Sequence, residues 1–404
     1  MIVRGGTVVT ARGVERADIA IKAGVITEIA PDLDSDGEEV DATALHVLPG
    51  GIDSHVHFNE PGRTDWEDIA HGSAALAAGG YTCFVDMPLN SLPVTTTVGA
   101  FDIKLAAMKR SSVVDFGLWG GLVPGNLDQL RPLVERGVMG FKAFMCPSGI
   151  DEFPACDLES LREGMKRIAE LDSILLVHAE DPALLREPLG PKAHDFVESR
   201  PEEAEVAAIE LCVQMSRETG CRVHIVHVST PRGAALIGET VSGETCPHYM
   251  LYTADDLEQL GGVGKCAPPL RTQRMPMMPI VVSDHSPSTL ALKQGDDFRK
   301  IWGGISGCQS TRQLLLARQD VDLQAVATVT STEIARRFRI PNKGDIAPGF
   351  DADLWLVDLS HTATVKNEDL LYKNPFSAHA GQAIRGRTVR TLHGRPKFIR
   401  PGGR

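Results

Sequence analysis

No basic cluster interleaved with aromatics, no Cys-x-x-Cys pair and no long apolar run occurs in this chain of 404 residues. Each absence removes a class of function. With 41 Lys and Arg against 53 Asp and Glu the formal net charge is −12, and a phosphate backbone needs a basic face to displace its counterions, so nucleic acid is excluded as a partner. The eight cysteines (Cys83, Cys146, Cys156, Cys212, Cys221, Cys246, Cys266 and Cys308) are scattered. That spacing suits neither a zinc knuckle nor a disulfide frame and predicts reduced, mostly buried thiols. No stretch approaches the roughly 20 apolar residues that span a bilayer, and Met1-Ile-Val-Arg-Gly-Gly is not a charged-then-apolar leader. The expectation is a cytoplasmic protein with no membrane contact.

What is present is an ordinary globular composition, 43% hydrophobic, sufficient for one large core and something smaller. Thr7-Val-Val-Thr, Ala17-Asp-Ile-Ala-Ile-Lys and Val25-Ile-Thr-Glu-Ile alternate apolar and polar residues between glycines and acidic turns, as half-buried antiparallel strands do. The same signals return in Asp351–Asp358, Ala383–His393 and Lys397-Phe-Ile, after Pro348-Gly349. A small β-sandwich domain is expected from both chain ends, residues 1–48 and 346–404, with 49–345 inserted between them.

The inserted part carries the chemistry. His55-Val-His57 closes the short apolar run that starts at Leu48, and side chains two apart on a strand share a face, so both rings can reach one ion. Such a pair is by itself more often incidental than metal-binding. The pattern that raises it is repetition: Val138–Lys142, Ser173–His178, Val223–His227 and Pro279–Asp284 are also short apolar runs, each ending in a polar residue. Helical periodicity lies between them, over Leu158–Leu171 and Glu202–Thr219. Strand and helix alternating in this way predict an α/β fold, a (β/α)8 TIM-type barrel whose functional residues sit at the C-terminal strand ends. Two connections, 233–243 and 271–279, are too short for a parallel crossover. Either the helices there are truncated or residues are absent from the sequence, and the second reading is preferred.

Five of the six residues are metal ligands as they stand. Lys142 is not, because an ammonium has no lone pair. One reading is a core lysine paired with a carboxylate; the other is an amine that has added carbon dioxide, giving a carbamate able to bridge two cations. Its position among four histidines favours the carbamate.

The segments Gly51–Gly62, Gly140-Phe-Lys-Ala-Phe, Val177-His-Ala-Glu180, Val226-His-Val-Ser229, Glu244-Thr-Cys-Pro-His248 and Ser283-Asp-His-Ser-Pro287 together resemble the amidohydrolase superfamily, in its cyclic-amidase branch. The resemblance covers nearly the whole chain. It implies two divalent ions, zinc first with iron, cobalt or manganese as alternatives: His55, His57 and Asp284 on one, His178 and His227 on the other, and Lys142, as N6-carboxylysine, between them. Asp284 is then the catalytic acid–base, carbon dioxide is needed for the lysine, and a homo-oligomer, a tetramer by the resemblance, is implied.

Within that branch, dihydroorotases resemble one another in an arginine where this chain has Asn59, and hydantoinases in a tyrosine where it has Pro147. His57–Glu67, Asp86–Ser91 and Lys265–Arg271 instead resemble the group that hydrolyses allantoin to allantoate. A neutral ring with a ureido arm needs amide-type contacts, for which Asn90 and the loop residues Gly304, Ile305 and Ser306 are the candidates. A hydantoinase of broad range and a non-catalytic scaffold stay open as alternatives. His224 is expected to pack on the far strand face, and His248 and His285 to orient ligands or support structure.

Overall fold

The computed structural model describes residues 1–34, 37–238, 240–395 and 397–402. The alternating N-terminal pattern forms β1 (Ile2–Thr10), β2 (Gly13–Lys22), β3 (Val25–Ala30), β4 (Glu39–Asp41) and β5 (His46–Pro49). The chain then lays down β6 (Gly51–Val56), β7 (Tyr81–Asp86), β8 (Asp115–Leu118), β9 (Gly120–Gly121), β10 (Phe141–Phe144), β11 (Ile174–His178), β12 (Arg222–Ile225) and β13 (Val241–Gly243). It returns in β14 (Leu354–Thr364) and β15 (Ala383–Leu392).

The chain ends meet in one continuous sheet, ordered β15-β14-β5-β1-β2-β3 with β4 added to β1. The antiparallel pair β5–β14 joins them, and Val3, Ile19, Ile26, Val47, Leu354 and Leu356 form a core of their own.

The central strands pair in parallel, β6-β7-β8 and β9 through β13. Only Trp119 separates β8 from β9. Isolated bridges Thr245–Val281 and Val56–His285 carry the pairing to an eighth segment and back to β6. This is the expected (β/α)8 barrel, and β6, β7, β10 and β11 are buried at every position, as parallel strands covered on both faces must be. The covering helices start and stop on local signals. Asp157 accepts from Ser160 N to cap Leu158–Glu170, which buries Leu161, Met165 and Ile168. Glu202–Thr219 follows Pro201, has acidic residues in its first turn and ends at Gly220 with φ 71°. No described helix is long and apolar enough to cross a membrane.

Several local expectations change. β10 runs on to Phe144, so Lys142 is its second residue and not its end. Pro279–Asp284 is held by isolated bridges without becoming a ladder, because Asp284 adopts φ 46° and leaves the extended region. Lys397–Ile399 does not join the terminal sheet: it pairs with Phe116 in β8, where Ile399 N donates to Phe116 O at 2.8 Å. Of the two short connections, the first includes residue 239, which lies outside the described residues. The first holds a one-turn helix, Pro231–Ala234. Arg271–Pro279 connects no strand pair, since the crossover runs from Thr245 to Val281 and Lys265–Arg271 is irregular, with a cis Ala267–Pro268 bond.

Candidate metal centre

Barrel closure brings His55, His57, Lys142, His178, His227 and Asp284 to the wall of one cavity of about 390 Å³. Two half-sites are distinguishable. In one, His55 Nε2 and His57 Nε2 lie 3.1 and 3.4 Å from Asp284 Oδ1, and the three ligand atoms lie within 4.8 Å of one another. In the other, His178 Nδ1 faces His227 Nε2 at 3.0 Å. The rings of His55 and His227, one from each half, are 5.4 Å apart. Lys142 Nζ is buried without a hydrogen-bond partner among the described residues and stands 4.6 Å above the Phe144 ring. His227 and Asp284 both hold positive φ, 41° and 46°. Backbone of this kind in non-glycine residues costs free energy and is retained where the surroundings over-determine it.

Carboxylates behind the rings set their orientation. Glu244, fully buried at the exit of β13, accepts from His55 Nδ1 at 2.5 Å and from His224 Nε2 at 3.0 Å, and His224 Nδ1 meets Ser242 Oγ at 2.6 Å. His224 therefore packs against Phe338 as expected, and also serves the site through Glu244. Glu180, two residues beyond His178, accepts from His178 Nε2 at 2.6 Å and from Arg200. These supports were not picked out from sequence. Glu180 could have been, because it follows His178 at strand spacing; Glu244 had only its place within a matched motif.

Protonation follows from these contacts. Burial pushes His57 and His178 down to about 4 and His227 well below its ordinary value, so all three are neutral near pH 7. Burial opposes ionisation of Glu244 and Asp284, but their facing imidazoles outweigh it, holding Glu244 at about 2 and Asp284 below the usual carboxylate range. Burial brings the Lys142 amine down to about 7. His55 lies between two carboxylates, Glu244 at Nδ1 and Asp284 at Nε2. It satisfies both with two protons, or with one proton and a shared cation. With His57 converging on the same Asp284 oxygen and an unpartnered lysine beside it, the donor set fits a pair of divalent cations.

Among the substrate candidates, Asn90 (φ 75°) and Gly304 line the cavity, together with Gly303. A Cβ on Gly304 would meet Ser286 O at 2.6 Å, which excludes a side chain there. Ile305 and Ser306 do not line it. Ile305 is drawn into a bridge with His285, and Ser306 O accepts from Ser377 Oγ, so only the start of that loop faces the cavity. Asn59 is also withheld: it is fully buried, with neither side-chain amide atom hydrogen-bonded among the described residues. Pro147 stands at the wall. His285 has Gly307 N donating to its Nδ1 and Glu67 3.5 Å from its Nε2, whereas neither nitrogen of His248 has a hydrogen-bond partner among the described residues.

Residues 46–386 match the Amidohydrolase family. The chain is similar to proteins named allantoinase from Solibacter usitatus, 47% identical over 97% of this chain and 92% of that one. It is likewise similar to the allantoinase of Rubrobacter xylanophilus, 47% identical over 100% and 95%. Among solved structures it resembles the L-hydantoinase (dihydropyrimidinase) of Arthrobacter aurescens, with a TM-score of 0.94, 28% identity and 99% of each chain covered.

Proposed function

The chain belongs to the amidohydrolase family, and from that premise we propose that it is a binuclear metal hydrolase of cyclic amides that opens the hydantoin ring of allantoin to give allantoate. The observation that carries the reading is the position of His55 between Glu244 and Asp284, with His57, His178, His227 and an unpartnered Lys142 on the same cavity. His55, His57 and Asp284 would hold one ion, His178 and His227 the other, with Lys142 as a carbamate between them. When bound, the ions lower the pKa of water towards 7 and polarise a carbonyl.

The side chains do the rest. A Lys142 amine at about 7 is substantially neutral at physiological pH and can add carbon dioxide at its nitrogen with release of a proton to solvent, becoming an anionic ligand. Asp284 takes a proton as water adds to the ring carbonyl and delivers it to the ring nitrogen as the C–N bond breaks, leaving a carboxylate and a urea nitrogen. Asn90 and the Gly303–Gly304 backbone offer the neutral ring uncharged contacts. Pro147 supplies no side-chain donor at the position where the hydantoinases carry a tyrosine, which sets this chain apart from that group. In this proposal residues 49–345 are the catalytic unit, the metals are zinc or a related divalent ion, and the enzyme is a cytoplasmic homo-oligomer.

Allantoin, hydantoin, dihydrouracil and dihydroorotate offered to the metal-loaded protein test the substrate. Allantoin should be used at least about tenfold more efficiently than the others, equivalent to roughly 1.4 kcal/mol of differential transition-state binding. A tenfold preference for dihydrouracil or dihydroorotate would end the reading. A second expectation concerns assembly. Protein stripped by a chelator in CO2-free buffer should regain full activity only when divalent metal and bicarbonate are both returned. Full recovery with metal alone under strict CO2 exclusion would count against the carbamate.

A further inference from the structure

We infer that Arg200 is a specificity-determining residue, which donates to the ureido carbonyl of the substrate from the cavity wall. Arg200 ends the helix Ala193–Ser199 and precedes Pro201, which restricts its backbone. That backbone is pinned on both sides, the amide donating to Val197 O at 3.1 Å and the carbonyl accepting from Arg271 Nη1. Its side chain is also held. Nε donates to Glu180 Oε1 at 3.1 Å, and Nη2 donates to Glu180 Oε2 and to Cys146 Sγ at 3.6 Å. A guanidinium has five N–H donors, and those contacts use Nε and Nη2. Nη1 has no acceptor among the described residues, and the side chain, 17% exposed, lines the same cavity as the six site residues.

The chemistry of this edge selects its partner. Glu180 already balances the charge of Arg200, so the exposed edge offers directed donors with no net excess of positive charge. A neutral carbonyl oxygen suits that better than a carboxylate, which an unpaired arginine would attract more strongly. In the proposed substrate the acceptor outside the ring is the ureido carbonyl. Because Arg200 also holds Glu180, and Glu180 holds His178, the residue that reads the arm also supports one metal ligand.

The inference rests on the allantoin reading, and the test separates the two. Allantoin is compared with 5-methylhydantoin, which keeps the ring and replaces the arm with a methyl group, in the wild type and in Arg200→Lys, with metal content measured for both proteins. Lysine keeps a cation beside Glu180 and removes the second row of donors. Any loss that reaches the site through Glu180 and His178 is common to both substrates, so the ratio of kcat/KM for allantoin to that for 5-methylhydantoin should fall by about 10- to 100-fold in the variant, the range of one charge-assisted hydrogen bond. Equal losses on both substrates, or no loss on either, would overturn the inference. If Arg200→Lys does not fold, the neutral pair Arg200→Gln with Glu180→Gln gives the same comparison of ratios. A wild type that does not turn over allantoin removes the underlying reading, and this inference with it, before any variant is compared.

Discussion

Asp284→Asn is expected to lower kcat/KM by about 10²- to 10⁴-fold, the usual cost of removing a general acid–base, with the folded protein intact. The asparagine is nearly isosteric, so the bridges Val56–His285 and Thr245–Val281 that seat this segment should persist. What disappears is the anionic oxygen on which His55 and His57 converge and the group that would carry the proton to the leaving nitrogen. Steady-state kinetics beside metal analysis and a thermal melt separates these losses. An unchanged melt with a near-native rate would remove Asp284 from the proton path; a normal metal content with a collapsed rate would isolate its acid–base role.

Glu244→Gln should weaken metal binding about 10- to 100-fold, because carboxylates behind ligating histidines orient the ring and raise its basicity. It should also cost the metal-free protein about 1–3 kcal/mol, since one amide oxygen cannot accept from two buried imidazoles and the amide nitrogen faces one of them. Competitive metal titration and denaturant melts would measure both, and a variant with wild-type metal affinity would show that His55 needs no such support. The pH dependence has a definite sign. The Glu244 carboxyl is lowered from 4.5 to about 2 by folding, so its contribution is present above 4.5 and lost as pH falls towards 2. Metal-free wild type should therefore lose stability across that acid window, and Glu244→Gln should show a flatter profile there.

That the six residues His55, His57, Lys142, His178, His227 and Asp284 share one cavity was legible because each ends or lies within a short apolar run, and a barrel puts such residues near strand ends. The spans Leu158–Leu171 and Glu202–Thr219, expected from periodicity, match the observed helices within a residue, and the caps that fix them, Asp157 and Gly220, act within a few residues of themselves. Other assignments failed on local detail. β10 outlasts Lys142 because Ala143 and Phe144 continue the buried run, and Ile305 and Ser306 leave the cavity because a bridge to His285 and a bond from Ser377 claim them.

What the amino-acid order determined by itself was therefore local: which face a side chain shares with its neighbour two along, where a helix can begin, and which residue types could hold a cation. The tertiary structure decided everything that depends on closing the ring of strands. Glu244 reaches His55 across 189 positions, and the terminal Lys397–Ile399 segment pairs with β8 although its alternating pattern suits the end sheet equally well. Periodicity reports the direction of a side chain relative to its own backbone, and it carries no information about which distant strand becomes the neighbour. Arg200 shows the limit most clearly. An arginine before a proline is unremarkable in sequence, and only the packing that sets Glu180 against one edge of its guanidinium leaves the other edge to the cavity.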